Sequence, residues 1–158
     1  MSTYNDGQQI RKTVFGNLVE KTAAVAASGS ATDLFSVDGG SVWLIGLVGD
    51  VETVLVADTD IDIDFDPDDG GTDVALSTVL VADSDPTGTL YTLNSALTGG
   101  GIMIETLDVA YNAIFASPIF LTVGDIKLTS AGGGAGGGSI HWYAYWLPVD
   151  EGAALTAS

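Results

Sequence analysis

The sequence predicts an all-β protein: an antiparallel β-sandwich or jelly-roll-like domain with an extended N-terminal arm. About eight to ten short runs of β-branched and aromatic residues recur at intervals of roughly 8 to 12 residues, separated by Gly, Pro and Asp turns. The 21 glycines among 158 residues suit that number of turns. The sequence contains no βαβ alternation, heptad pattern or convincing internal repeat, which leaves an antiparallel fold.

Residues 1–20 form the predicted arm, and residues 21–158 form the predicted body. The arm is polar but carries five apolar residues that fit one helical face: Ile10, Val14, Phe15, Leu18 and Val19. Gly16 would cost such a helix about 1 kcal/mol. An arm that orders only on a partner fits the composition equally well.

The first strands of the body are predicted from short apolar runs. Residues 33–37 read as a strand that stops at the turn residues 38–41. Residues 42–48 and 51–57 are two β runs separated by Gly49-Asp50, a pair typical of a two-residue hairpin turn. The run 42–48 is apolar on both faces, so we expect it to be covered on both, as a central strand of a sandwich or as a subunit interface.

The acidic centre, residues 58–71, is predicted to be a strand with its carboxylates on one face. Four aspartates alternate with apolar residues: Asp60, Asp62, Asp64 and Asp66. The segment lacks the glycine and glutamate positions of a calcium loop. The favoured interpretation is a solvated strand face that ends in a Pro-Asp-Gly turn and protects a sheet edge from aggregation. A looser divalent-cation site at Asp66-Pro67-Asp68-Asp69-Gly70 is the alternative.

The second half of the chain continues the β pattern. Residues 74–82 and 89–94 read as strands, and residues 102–115 fit strands or a short helix, of which we favour strands. Residues 125–130 and 139–149 both alternate, and the glycine-rich residues 131–138 between them predict a β-hairpin with a long, flexible tip.

The run Ser139 to Val149 has the strongest β propensity in the chain. Alternation places one apolar set on one side: Ile140, Trp142, Ala144 and Trp146. The opposite side carries His141, Tyr143, Tyr145 and Leu147, a mixture that is common at protein contacts.

Composition excludes several classes of function. Four basic residues stand against 21 acidic ones, and the net charge of −17 opposes binding to nucleic acid or to anionic membranes. The excess of acid lies in the body, since residues 1–21 hold three basic and two acidic residues. There is no cysteine and one histidine, so we predict no catalytic residues, no cofactor and no metal site. We also expect no signal peptide and no membrane-spanning segment.

Several turn-and-strand segments resemble small β-rich virion proteins of tailed bacteriophages, most closely head decoration (cement) proteins. The resemblance lies in the segments 34–42 and 44–53, in Gly124-Asp125-Ile126, and in Gly138-Ser139-Ile140-His141-Trp142. It covers residues 21–158 loosely and supplies no site residues. It implies a jelly-roll-like body that assembles, often as trimers, on the outside of an icosahedral shell.

We therefore expect a non-enzymatic capsid decoration protein, made in the host cytoplasm and carried on the virion surface. The expected partners are the major capsid protein and further copies of the chain, as a homotrimer. The candidates for core or subunit contact are aromatic: Trp43, Trp142, Tyr143, Tyr145 and Trp146. The alternative is a head-fibre, tail or receptor- or carbohydrate-binding virion module.

Overall fold

The computed structural model describes residues 12, 15–94, 102–107 and 117–158. Within these residues, twelve strands form two six-stranded antiparallel sheets. Sheet A has the order β1 (Asn17–Ala24), β11 (Ser139–Pro148), β3 (Val42–Thr53), β7 (Thr89–Asn94) and β8 (Ile102–Leu107), and β9 (Ile119–Leu121) also pairs with β3. Sheet B has the order β12 (Ala154–Ala157), β2 (Ala31–Asp38), β10 (Gly124–Gly132), β4 (Thr59–Pro67) and β5 (Val74–Ala75), and β6 (Leu80–Val81) also pairs with β4. No helix in these residues is long and apolar enough to cross a bilayer.

The two sheets enclose one hydrophobic core, which confirms the predicted all-β sandwich. Alternate residues of the long strands supply it, with Trp142 and Leu47 from sheet A and Phe35, Ile63 and Ile126 from sheet B all buried. The predicted alternation of residues 139–147 is confirmed, because the side chains of one set are buried and those of the other are partly exposed. The central position predicted for residues 42–48 is also confirmed, since β3 lies between β11 and the pair β7 and β9.

The hairpin predicted at Gly49-Asp50 is wrong, because β3 continues through both residues. Gly49 lies opposite Trp142 in the register of β3 and β11. A Cβ atom at Gly49 would lie 2.9 Å from both the Trp142 ring and Ile140 Cγ2. The glycine therefore makes room for a buried indole across the strand pair and does not turn the chain.

The closing hairpin is also wrong. β10 pairs with β2 and β4 in sheet B, whereas β11 pairs with β1 and β3 in sheet A, so the glycine run crosses between the sheets. Nor is this run a loose tip. Gly134 N–H donates to Asp58 O at 2.9 Å, Gly137 N–H donates to Val25 O at 2.9 Å, and a Cβ at Gly136 would collide with the Ala27 backbone. Glycine is required here because three backbone segments pack without side chains between them.

The acidic segment forms the predicted strand, β4, with Ile61, Ile63 and Phe65 buried in the core. It is not a sheet edge, however, because β10 covers one side and the two-residue strands β5 and β6 cover the other. Its aspartates are half-buried. Asp64 accepts a hydrogen bond from Thr129 and Asp66 pairs with Lys127, so the prediction of a simple solvated face is corrected.

Other predicted elements differ at their ends. Residues 17–20, which the sequence assigns to the arm, form the first half of β1, so the helical face predicted across Leu18 and Val19 does not form. The strand predicted over residues 74–82 is split into β5 and β6. β2 and β7 confirm the strands predicted there, and β8 confirms residues 102–107 of the strands predicted over residues 102–115, the rest of which lies outside the described residues. Residues 1–11, 13, 14, 95–101 and 108–116 lie outside the described residues, and with them most of the arm.

Candidate functional site: the outer face of sheet A

A row of three large apolar side chains crosses the outer face of sheet A, and we call it the Trp43 row. Leu147 of β11 pairs with Trp43 of β3, and Trp43 pairs with Phe120 of β9. The Trp43 and Phe120 rings meet edge to face, with centroids 5.2 Å apart and an interplanar angle of 76°. Leu147, Trp43 and Phe120 remain 37%, 40% and 47% exposed, respectively. Single exposed apolar residues are ordinary, whereas a contiguous row on three strands is a candidate contact surface.

An open apolar groove adjoins this row. It has a volume of about 320 Å³ and lies where β9 meets the end of β4, lined by Phe120, Ile119, Phe65, Val74 and Leu76 among others. The backbone of this corner is held together by Asp68 N–H, which donates to Val123 O at 3.1 Å. Apolar surface therefore continues from the row around this end of the sandwich.

The body meets the arm at the same end. Asn17, the first residue of β1, pairs with Trp146, which directly precedes Leu147. Gly16 adopts a φ of 77°, and a Cβ there would lie 2.5 Å from the Trp146 carbonyl oxygen, so only glycine lets the chain approach β11 so closely. Phe15 is exposed just before this point. The arm thus joins the body beside the Trp43 row.

The other half of the same face is polar and centres on the only histidine. Glu20 Oε2 lies 3.3 Å from His141 Nε2, and Thr22 Oγ1 and Glu52 Oε1 lie 2.7 and 3.4 Å from Nδ1. The Tyr143 ring lies against the imidazole, with centroids 4.5 Å apart. These groups and Asp50 come from β1, β11 and β3, and we call them the His141 patch: Glu20, Thr22, Asp50, Glu52, His141 and Tyr143.

The patch is electrostatically negative. Burial raises the pKa of Tyr143, and the carboxylates of Asp50, Glu20 and Glu52 raise it further because each disfavours a phenolate. The two cations within strands lie elsewhere: Lys21 donates to the carbonyl oxygens of Asp33 and Ser158, and Lys127 belongs to sheet B. Only His141 offsets the three carboxylates within the patch.

The geometry gives no support to a serine nucleophile or a shared metal at His141. Ser139 Oγ donates to Thr53 Oγ1 at 3.1 Å instead of to the imidazole. Glu20 and Glu52 approach opposite nitrogens of the ring, so they do not converge with His141 on one point. Across the part of the chain that the structure describes, no group of three His, Cys, Asp or Glu side chains is arranged to hold a metal ion.

The alternative cation site at Asp66 to Gly70 is not assembled in the described residues either. Asp66 forms an ion pair with Lys127, which lowers the pKa of Asp66 and raises that of Lys127. The Asp69 carboxylate accepts a hydrogen bond from Gly71 N–H at 2.9 Å and so shapes the turn. The carboxylates of this segment therefore serve local structure.

The structure separates the five aromatic candidates into core and surface. Trp142 and Trp146 are buried, Tyr143 and Tyr145 lie half-buried on the outer face, and Trp43 is exposed. Sequence reasoning missed Leu147 and Phe120 as partners of Trp43, although alternation had placed Leu147 on the polar side of its strand. Nothing in the sequence indicates that β9 pairs beside β3, and that pairing completes the row. No protein-family model, curated protein or solved structure matches this chain.

Proposed function

We propose that this chain is a non-enzymatic virion structural protein, a decoration protein that binds the outer surface of an icosahedral phage head. The observation that carries the proposal is the exposed Trp43 row, held rigidly on three paired strands. Large aromatic side chains on a rigid scaffold lose little conformational entropy on binding and often dominate binding energy. The likeness of the turn-and-strand segments to head decoration proteins agrees with this use.

The position of the arm supports the same proposal. The chain enters β1 beside Leu147, because Asn17 pairs with Trp146, and Phe15 is exposed just before this point. The arm carries Arg11 and Lys12 against Asp6, whereas the body is strongly acidic. An arm and a row at one end give a decoration protein two neighbouring attachments to a shell.

The test is binding to empty shells of the major capsid protein encoded in the same genome. The row variant Trp43→Ser/Phe120→Ser should bind at least about 100-fold more weakly, because it removes two central apolar anchors. The matched control is Val79→Ser/Val81→Ser, which removes two exposed apolar side chains near the edge of sheet B. Shells that ignore the wild-type protein, or equal losses in both variants, would overturn the proposal.

We further propose that the chain self-associates as a homotrimer. A trimer has a mass of about 48 kDa, three times the chain mass of 16.1 kDa. Light scattering coupled to size-exclusion chromatography measures this directly. A single species at the chain mass, independent of concentration, contradicts the trimer and leaves the capsid proposal to its own test.

The alternative role, a receptor- or carbohydrate-binding virion module, is favoured by one observation. The half-buried rings of Tyr143 and Tyr145 lie on a sheet face beside carboxylates, and rings with nearby hydrogen-bonding groups can hold a sugar. Binding on a glycan array that Tyr143→Ala/Tyr145→Ala abolishes would favour this role over decoration. A silent array removes it.

A further inference from the structure

The Trp43 row and the His141 patch occupy one continuous sheet face. Residues 141, 143, 145 and 147 of β11 share the partly exposed side of that strand, and each step of two residues spans roughly 6.7 Å. The His141 patch therefore lies about 13–20 Å from the row along the strand. Tyr145 and its β1 neighbour Leu18 fill the space between them. A partner large enough to cover the row also covers the patch.

The charges of the His141 patch indicate which kind of side chain the partner would place over it. Glu20, Asp50 and Glu52 come from the two strands that flank β11, so they surround His141 and Tyr143 on both sides. Glu20 and Glu52 are about half exposed at their side chains, so they remain accessible to a ligand. A cation placed over the Tyr143 and His141 rings would meet carboxylates from both directions. Arginine suits this arrangement best, because its planar guanidinium stacks on rings and donates to two carboxylates at once.

A second copy of this chain does not fit the same face. If two copies met through it symmetrically, each patch of three carboxylates would approach an identical patch or an apolar row. The whole chain carries a net charge of −17, so no basic surface on the body compensates for this repulsion. Charge complementarity therefore favours a different protein over a symmetric pairing of two such faces.

We infer that the outer face of sheet A docks on a partner protein whose surface pairs an apolar contact with an arginine about 13–20 Å away, and that the His141 patch takes this arginine. This inference rests on the proposed function for its natural partner, the capsid shell. The recognition chemistry itself, a guanidinium over Tyr143 and His141 between carboxylates, is independent of the shell.

The probe is the acetylated, amidated peptide Gly-Arg-Gly-Arg-Gly, compared with the same peptide in which neutral citrulline replaces both arginines. Backbone amide shifts of the full chain should move at β1, β11 and β3 with the arginine peptide and stay unchanged with the citrulline peptide. Glu20→Gln/Glu52→Gln should weaken the arginine peptide by about tenfold, the scale of one lost charge-assisted hydrogen bond. The matched control Asp60→Asn/Asp62→Asn removes two carboxylates from sheet B and should change the affinity less than twofold.

Three outcomes of the peptide experiment overturn the inference. They are equal losses of arginine-peptide affinity in the two double variants, equal binding of the arginine and citrulline peptides, and backbone amide shifts that do not map to the His141 patch. If the Glu20/Glu52 variant does not fold, Asp50→Asn replaces it and should weaken the peptide measurably. Capsid binding separates this inference from the proposed function. Shells that require the Trp43 row but tolerate Glu20→Gln/Glu52→Gln would refute the arginine contact alone. An arginine peptide that maps to the patch while shells do not bind would refute only the decoration role.

Discussion

The two outer faces of the sandwich are both acidic, but their carboxylates differ in the hydrogen-bond and ion-pair partners that they find within the same face. On sheet B three carboxylates have partners within the face: Asp66 pairs with Lys127, Asp64 accepts from Thr129 at 2.8 Å, and Asp125 accepts from Ser36 at 2.5 Å. On sheet A two of the three carboxylates of the His141 patch, Glu20 and Glu52, share a single histidine. The same face also leaves the Trp43 row open to water.

This difference separates a structural face from a contact face. Polar groups that satisfy one another within a sheet stabilise it without a partner and gain little from one. Exposed apolar side chains and carboxylates offset by one imidazole gain free energy only when another surface covers them. The local balance of polar partners, and not the acidic content alone, is therefore the reason for proposing sheet A as the functional side.

The prediction with the largest expected effect tests whether β3 is one continuous strand that contributes to both the Trp43 row and the His141 patch. β3 holds Trp43 at one end and Asp50 and Glu52 at the other, so the face exists only if the chain does not turn at Gly49. Gly49→Ala should lower the free energy of unfolding by about 2 kcal/mol, because its Cβ overpacks the Trp142 ring. Denaturant unfolding measures the loss.

Alanine at residue 49 would also destabilise a turn that requires glycine. A double-mutant cycle therefore distinguishes a turn at Gly49 from a continuous strand in which Gly49 packs against Trp142. In a packed strand, Trp142→Leu relieves the clash, and the double variant costs clearly less than the sum of the single variants. Additive costs would indicate that Gly49 does not contact Trp142 and would break the continuous face. Gly133→Ala is the control, because its Cβ meets its nearest neighbour only at 3.8 Å; its effect should stay within about 0.5 kcal/mol.

The sequence predicted the strands better than their connections. The alternation of apolar and polar residues identified the strands at residues 139–147 and 59–67. Every second side chain of a half-buried strand faces the core, so the sequence of such a strand alternates with a period of two. Glycine was misread because it has two uses. At residues 49, 134, 136 and 138 it permits close approach of a ring or a backbone from distant parts of the chain, and local sequence cannot distinguish this from a turn.

The candidate site was predictable only in part. Tyr143, Tyr145 and His141 were placed on the polar side of one strand, which the structure confirms. Their neighbours Glu20 and Glu52 are 121 and 89 residues away in the chain, and only sheet register brings them to His141. Phe120 joins Trp43 for the same reason. Cross-strand clusters depend on register, and register depends on the whole fold.

The second prediction tests the internally paired face. Lys127→Met should lower the Tm by a few degrees, because Asp66, Asp73 and Asp33 lose the cation that offsets their mutual repulsion. Added NaCl should shrink the difference from wild type, since salt screens the repulsion that remains. Lys12→Met removes the same charge from an exposed position before β1 and should leave the Tm unchanged. Equal effects of the two variants would mean that net charge, and not pairing on sheet B, sets the stability.

The smallest effect concerns Asp62, a half-buried carboxylate on sheet B whose charged form is disfavoured by its surroundings. Burial, and secondly repulsion from Asp64, raises the pKa of Asp62 from 3.8 to about 6. A raised pKa means that the folded state holds the proton more tightly than the unfolded state, so Asp62 lowers stability progressively as the pH rises from about 4 through about 6. Asp62→Asn should therefore stabilise the protein at pH 7 by about 1 kcal/mol, after allowance for solvent screening at a half-buried site, and the gain should disappear below pH 4.

Salt separates the two causes of this shift. If burial dominates, most of the gain from Asp62→Asn at pH 7 persists in 0.5 M NaCl, because desolvation is not screened; if repulsion from Asp64 dominates, most of the gain is lost. Chemical unfolding at pH 3.5 and pH 7, with and without salt, measures all four values. A gain that is the same at both pH values would show that ionisation of Asp62 is not responsible. It would then remove Asp62 as a counterexample to the pairing seen at Asp64, Asp66 and Asp125 on the same face.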